Sequence, residues 1–207
     1  PDTNQCIFHY LDTSHKAVVI SISGTTFTTG TPVEYDTAGF GSEFGSYPGI
    51  DYDTTNDKVV IGYRDTNNSN YGTGIVGTVS GTSISFGTPT VFESSTSEWI
   101  NVSFDSGNTK SVFSYTDSAS DGRSVVGTVS GTGISFGTSV EPLGAETHAG
   151  VSTCYDPDSG KIIWSARETG SNDGGYIVVG TVSGTGISFG EPAYVSMHYL
   201  SSSVAIA

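Results

Sequence analysis

Four carboxylates recur at one position of an internal repeat: Asp12, Asp65, Asp117 and Glu168. A ring of acids could bind a cation or act as general acid and base. Each could equally cap its own loop by accepting backbone N–H groups, and a position filled alike in every repeat favours capping. A second recurrent set, Asp53, Asp105 and Asp156, falls in turns such as Asp156-Pro157-Asp158. Acids at this density suit Ca2+. Their spacing matches neither an EF-hand nor a nonapeptide calcium repeat, so turn formation is the stronger expectation and no cofactor is assigned. The four His share no repeat position and form no cluster with Cys, which argues against zinc. Neither a nucleophile elbow nor a phosphate loop is present.

The aromatic residues suggest different chemistry. Trp99 and Tyr47 align, each five residues before Phe104 or Tyr52. Around them in the repeat lie Arg64, Asp65, Asn70, Tyr71, Asp117, Arg123, Arg167, His148 and Tyr199. A flat aromatic face with amide, carboxylate and guanidinium groups suits a sugar ring, which offers apolar C–H faces and vicinal hydroxyls. The competing role for Trp99 and Tyr47 is to cover the core between repeats. Trp164, inside an apolar run, is expected in the core.

These residues must be held by a β scaffold. The stretch VGTVSGTSISFG at 76–87 returns as VGTVSGTGISFG at 126–137 and 179–190, with a decayed copy at 19–30. Thr78-Val79-Ser80 and Ile84-Ser85-Phe86 alternate with the period of a strand. The Gly81-Thr82-Ser83 step between them supplies the positive φ of a tight reversal. The unit therefore reads as a β-hairpin, rich in residues that suit a half-covered pleated surface. One hairpin is marginal alone, so repeats must stack. The shared Gly recurs at intervals of 57, 50 and 53 residues, and the 47 left over at the termini completes the 207 of the chain.

Each repeat lays out as four short strands. In the second these are Ile50–Tyr52, Lys58–Tyr63, Ile75–Ser80 and Ile84–Phe86, with a polar loop at Arg64–Gly74. The third and fourth begin their first strands at Val102 and Thr153, and place the second at Lys110–Tyr115 and Lys161–Ala166. The first repeat is split: Val204–Ala207 supplies its first strand and Gln5–Tyr10 its second. Loops after the second strands and connections between repeats are expected to share one face. Loops on a rigid scaffold are where binding residues tend to lie.

Four-stranded repeats of about 50 residues point to an all-β, four-bladed β-propeller. The expected single domain spans 1–207, with blades at 204–207 plus 1–34, 49–92, 101–141 and 152–194. The C-terminal strand joins the N-terminal blade and closes the ring. The chain resembles β-propeller repeat proteins as a class. It lacks kelch, WD and Asp-box signatures. Its Gly-Thr-Val-Ser-Gly repeats are similar to those of bacterial and phage surface proteins. Part of a larger ring, or two chains making eight blades, is the architectural alternative.

Net charge is −14, with only 14% charged residues. That argues against nucleic acid and anionic membranes, both of which select basic surfaces. No apolar run approaches the length of a membrane helix. Cys6 and Cys154 fall in different repeats and are expected as two buried thiols rather than a disulfide. A chain starting at Pro1 reads as processed or excised from something longer. Abundant Ser, Thr, Asn and Gly with sparse Lys suggest an extracellular, surface or virion-associated location. The resulting expectation is a non-enzymatic module that recognises a glycan or cell-surface ligand. The alternatives are a structural part of a larger fibre or homo-oligomer, and a glycan-cleaving enzyme using an acid pair.

Overall fold

The computed structural model describes residues 4–37, 48–144, 148–169 and 174–195. Within them the chain forms four antiparallel sheets and no helix. Sheet one contains β1 (Gln5–Leu11), β2 (His15–Ser23), β3 (Thr26–Thr29) and β4 (Val33–Asp36). Sheet two contains β5 (Gly49–Asp53), β6 (Lys58–Asp65), β7 (Tyr71–Ser80), β8 (Ser83–Phe86) and β9 (Thr90–Thr96). Sheet three contains β10 (Glu98–Asp105), β11 (Lys110–Thr116), β12 (Gly122–Ser130) and β13 (Gly133–Phe136). Sheet four contains β14 (His148–Asp156), β15 (Lys161–Glu168), β16 (Gly175–Ser183), β17 (Gly186–Phe189) and β18 (Ala193–Val195).

The repeated hairpin forms as the sequence predicts. Ser80 pairs with Ser83, leaving Gly81-Thr82 as a two-residue turn. Gly81 has φ +57°, and its equivalents Gly24, Gly131 and Gly184 lie within a few degrees of it. Only the first turn residue takes positive φ, the pattern of a type II′ turn, whose twist matches that of the flanking strands.

The fourth strand differs from expectation. It is split in two, and both halves pair with the third strand. In sheet two β8 takes the outer half of β7, and β9 the inner half. Sheets one and four repeat this with β3 and β4 on β2, and β17 and β18 on β16. In sheet three a single bridge from Ser124 to Val140 stands for the second half. Gly87-Thr88-Pro89 marks the break, because proline has no N–H to give to the ladder.

The strands also run further than expected at the opposite end. β6 and β7 stay paired out to Asp65 and Tyr71, so only 66–70 remain of the polar loop expected at 64–74. Gly72 and Gly74 allow this by leaving room for the Phe92 and Phe136 rings. Arg64, Asp65, Tyr71, Arg123 and Arg167 are therefore strand residues, not loop residues. Trp99 and His148 lie in β10 and β14, not in connections between repeats. His15 begins β2 and is buried.

Three apolar cores hold the sheets face to face. Val19, Ile61, Tyr63 and Ile84 fill the first, between sheets one and two. Val76, Val102, Phe113 and Ile134 fill the second, between sheets two and three. The third, between sheets three and four, divides into clusters around Val126 with Ile162 and Ile187, and around Trp164. Trp164 is fully buried, as expected from its apolar run. Each buried Val, Ile or Phe contributes about 1.5–3 kcal/mol, against 0.2–1 for a cross-strand pair, so stacking outweighs pairing. Cys6 is exposed and Cys154 half-buried, and both are free thiols. The expectation of two buried thiols therefore fails at Cys6, whose face no described sheet covers. The expected closing strand, Val204–Ala207, lies outside the described residues.

Candidate functional site

Three of the four recurrent acids at the ends of the second strands are caps, whereas the Glu168 carboxylate accepts from Tyr176 Oη at 3.2 Å. Asp65 Oδ1 accepts the backbone N–H groups of Asn67 and Asn68 at 3.0 and 3.1 Å. Asp117 Oδ1 accepts those of Ala119 and Asp121 at 2.8 and 3.1 Å. Asp12 Oδ1 accepts from Ser14 at 3.2 Å and is paired with Lys16 Nζ at 3.0 Å. The Lys16 bond, with Thr13 and Ser14, lowers the Asp12 pKa to about 2 against the opposing effect of burial. The turn acids are occupied in the same way. Asp53 Oδ1 accepts from Thr55 and Asn56, and Asp105 Oδ1 accepts from Asn108, all at 2.9–3.0 Å. In both turns the second oxygen takes the Asn side-chain amide. These carboxylates are spent on their own turns. Among the described residues no group of three or more His, Cys, Asp or Glu is arranged to hold a metal ion.

Between sheets two and three, the loop end carries linked charges. Arg64 is buried, and its Nη1 reaches Glu98 Oε1 of β10 at 3.3 Å. Arg123 pairs through Nε with Asp117 Oδ2, and through Nη2 with Glu141 Oε1 at 2.7 Å. Burial pushes the Asp117 carboxyl up. The Arg123 guanidinium and two backbone N–H groups outweigh it and leave the pKa below the usual carboxylate range. Tyr115, buried nearby, donates to Glu93 Oε2 at 3.0 Å.

Trp99 follows Glu98 on β10. The register of β10 on β11 slips between Glu98 and Asn101, a β-bulge, and Trp99 takes φ +53° within it. Sheet four has the same slip between Ala149 and Ser152, with Gly150 at φ +62° in the corresponding place. Glycine takes that conformation freely, whereas a bulky residue stores about 1–3 kcal/mol of strain. Bulges commonly re-aim a side chain at a site. Trp99 is half-buried.

A third grouping, between sheets one and two, has no signature in residue spacing. The His15, Tyr35 and Tyr63 rings meet pairwise at 5.3–5.5 Å, and Tyr35 Oη lies 3.5 Å from His15 Nδ1. Asp36 and Asp65 edge this cluster, and with Tyr35, Tyr63 and Pro89 they line a cavity of about 400 Å3. Burial, then the neighbouring Asp36 carboxyl, raises the Asp65 pKa.

The remaining expected residues are scattered. His148 is buried, 6.1 Å from the Trp164 ring, and its Nδ1 faces the Gly122 N–H at 3.4 Å. It belongs to the core, not to a binding face. Arg167 is half-buried in β15 opposite Ala149 and Gly175. Asn70, at φ +64°, gives its carbonyl to the Ser97 N–H. Tyr71 pairs with Thr96. Tyr47 and Tyr199 lie outside the described residues. The structure thus places Arg64 with Glu98 and Arg123 with Asp117, and leaves His148 and Arg167 in sheet four.

A cavity of about 730 Å3 lies far from this end, along the edge of β1 that no described strand pairs. Gln5, Cys6 and Ile7 form one wall, and Ile50, Tyr52 and Val59 the other. In sheets two to four an inner strand (β5, β10 or β14) covers the equivalent edge. No known protein family, curated protein or solved structure matches the chain.

Proposed function

We propose that this chain is a non-enzymatic recognition module, extracellular or surface-borne, whose ligand is a glycan. Trp99 carries the reading. Its backbone adopts a strained conformation that the sister repeat reserves for glycine, and a bulky aromatic is kept there nonetheless. Glu98, the partner of Arg64, precedes Trp99 on β10, so a carboxylate and an aromatic share one strand end, a combination that suits a sugar. Ca2+ has no assigned role.

The test is a broad glycan panel probed with the purified chain, with calcium and with a chelator. Binding that is lost in Trp99→Gly is the expected outcome. The same substitution should hold or raise thermal stability, because it relieves the backbone strain. A folded chain silent across the panel overturns the reading. It would favour the second one, a structural part of a larger fibre, for which the uncovered outer faces described below speak.

In its finer form the proposed architecture is a propeller ring, with the four sheets as blades. A ring needs an inner strand beside β1 and one further contact between a sheet four and a sheet one, made across copies when two chains close an eight-bladed ring. Val204–Ala207 is the proposed strand. Val204 matches Ile50, Val102 and Thr153 in the repeat, and Ile206 matches Tyr52, Phe104 and Tyr155. The cavity beside β1 lies where that strand would run.

A further inference from the structure

We infer that the outer faces of sheets one and four are the two halves of one interface, and that a second copy of this chain joins them head to tail. Among the described residues four sheets share three cores, so no described sheet covers one face at each end. The repeat shows what each face is built to meet. Val19, Val76 and Val126 occupy one repeat position, point to the next sheet and are 0% exposed. Val179, at the same position in sheet four, is 45% exposed. The opposite face gives the mirror result. Ile61, Phe113 and Trp164 face the preceding sheet and are 0% exposed, whereas Phe8, their equivalent in sheet one, is 55% exposed. Phe27 is 69% exposed where Ile84, Ile134 and Ile187 are buried, and Ile22 beside it is exposed too.

The backbone tells the same story. A Cβ built on Gly30, Gly87 or Gly137 would lie 1.8–1.9 Å from the carbonyl oxygen of Thr82, Thr132 or Thr185 in the next sheet. The backbones of successive sheets touch there. Gly190, the fourth member, meets only its own sheet, at 3.8 Å. Thr25 is the turn residue left without such a glycine. Setting Thr25 of a second copy on Gly190 repeats a contact made three times already. It also brings Phe8, Ile22 and Phe27 onto Val179, as Phe113 and Ile134 come onto Val76.

The two faces differ, so the contact is heterologous. Copies joined this way either close into a ring or continue as a filament. Two copies closing would give a propeller of eight blades. The proposal does not depend on the glycan reading.

Sedimentation of the full chain over a range of concentration and salt tests it. The apparent mass should at least double as concentration rises. Each chain carries −14, so added salt should strengthen association by screening repulsion across an apolar contact. Val179→Asp and Phe27→Asp should each weaken association at least about a hundredfold, because each buries an unpaired carboxylate. Both positions are exposed within one copy, so circular dichroism and Tm should be unchanged. A chain that stays monomeric overturns the proposal. If the same substitutions then lower the Tm, the chain has met its own end. If they do not, the faces serve something other than a second copy. Association that salt dissolves also overturns it.

Discussion

The two ends of each sheet are made by the same strands and behave differently. At the hairpin end every repeat does one thing. A Gly-Thr turn reverses the chain, and in sheets two to four its threonine carbonyl seats on the glycine of the sheet before. At the loop end the caps recur, but the side chains packed between the sheets differ. A His–Tyr–Tyr cluster lies between sheets one and two, a chain of Arg–carboxylate pairs between two and three, and a buried His against Trp164 between three and four. Strict repetition marks the end that assembles the fold. Departure from it marks the end free to acquire a ligand, and Trp99 is its sharpest departure.

The comparison can be broken at the seat. Gly137→Ala should destabilise by about 3 kcal/mol, because the clashing atom is backbone and cannot swing away. The identical change at Gly190 should stay within about 0.5 kcal/mol for the single copy, since nothing crowds it. Urea denaturation of the two variants reads the difference. Equal losses would mean that the fourth seat is filled within the chain.

A smaller effect is expected at the turn itself. Gly81→Ala meets no neighbour, but it must hold φ +57° and should cost about 1 kcal/mol. Gly131→Ala should cost the same, and a clear inequality in their Tm values would show that the hairpin end is less uniform than its sequence.

The smallest effect sharpens the contrast at the loop end, where two acids at one repeat position should titrate in opposite directions. The Asp117 pKa is depressed when folded, so its contribution is present above the unfolded value near 4 and fades as pH falls through the folded one. The Asp65 pKa is raised, so its contribution is present below the unfolded value and fades as pH rises through the folded one. Water reaches both, and each contribution is about 1 kcal/mol or less. Comparing Asp117→Asn and Asp65→Asn with the parent by denaturation from acid to neutral pH should give slopes of opposite sign.

The hairpin end was legible because its determinants are local. A Gly-Thr turn between alternating strands needs nothing from elsewhere in the chain. The capping acids were legible for the same reason. The loop end was not. Arg64 and Tyr71 looked like loop residues because Gly72 and Gly74 hide the strand period, and what fills their place comes from Phe92 and Phe136, far along the chain. His148 looked available, and its burial follows from a Trp164 contact that spacing cannot foretell. Trp99 was singled out for its chemistry, whereas its strained backbone emerges only from the slipped register of β10.

The seating of each turn on its predecessor's glycine also bears on how such a chain can change. Every described seat joins neighbours only, so a unit cut out between two matching glycines leaves joints of the same kind on either side. Duplication or loss of about 50 residues would alter the length of the molecule and the number of its loop clusters without requiring a new joint. The near-identical stretches at 76–87, 126–137 and 179–190 are therefore natural points for recombination within the coding sequence. Variation in unit number between related chains is the trace such exchange would leave.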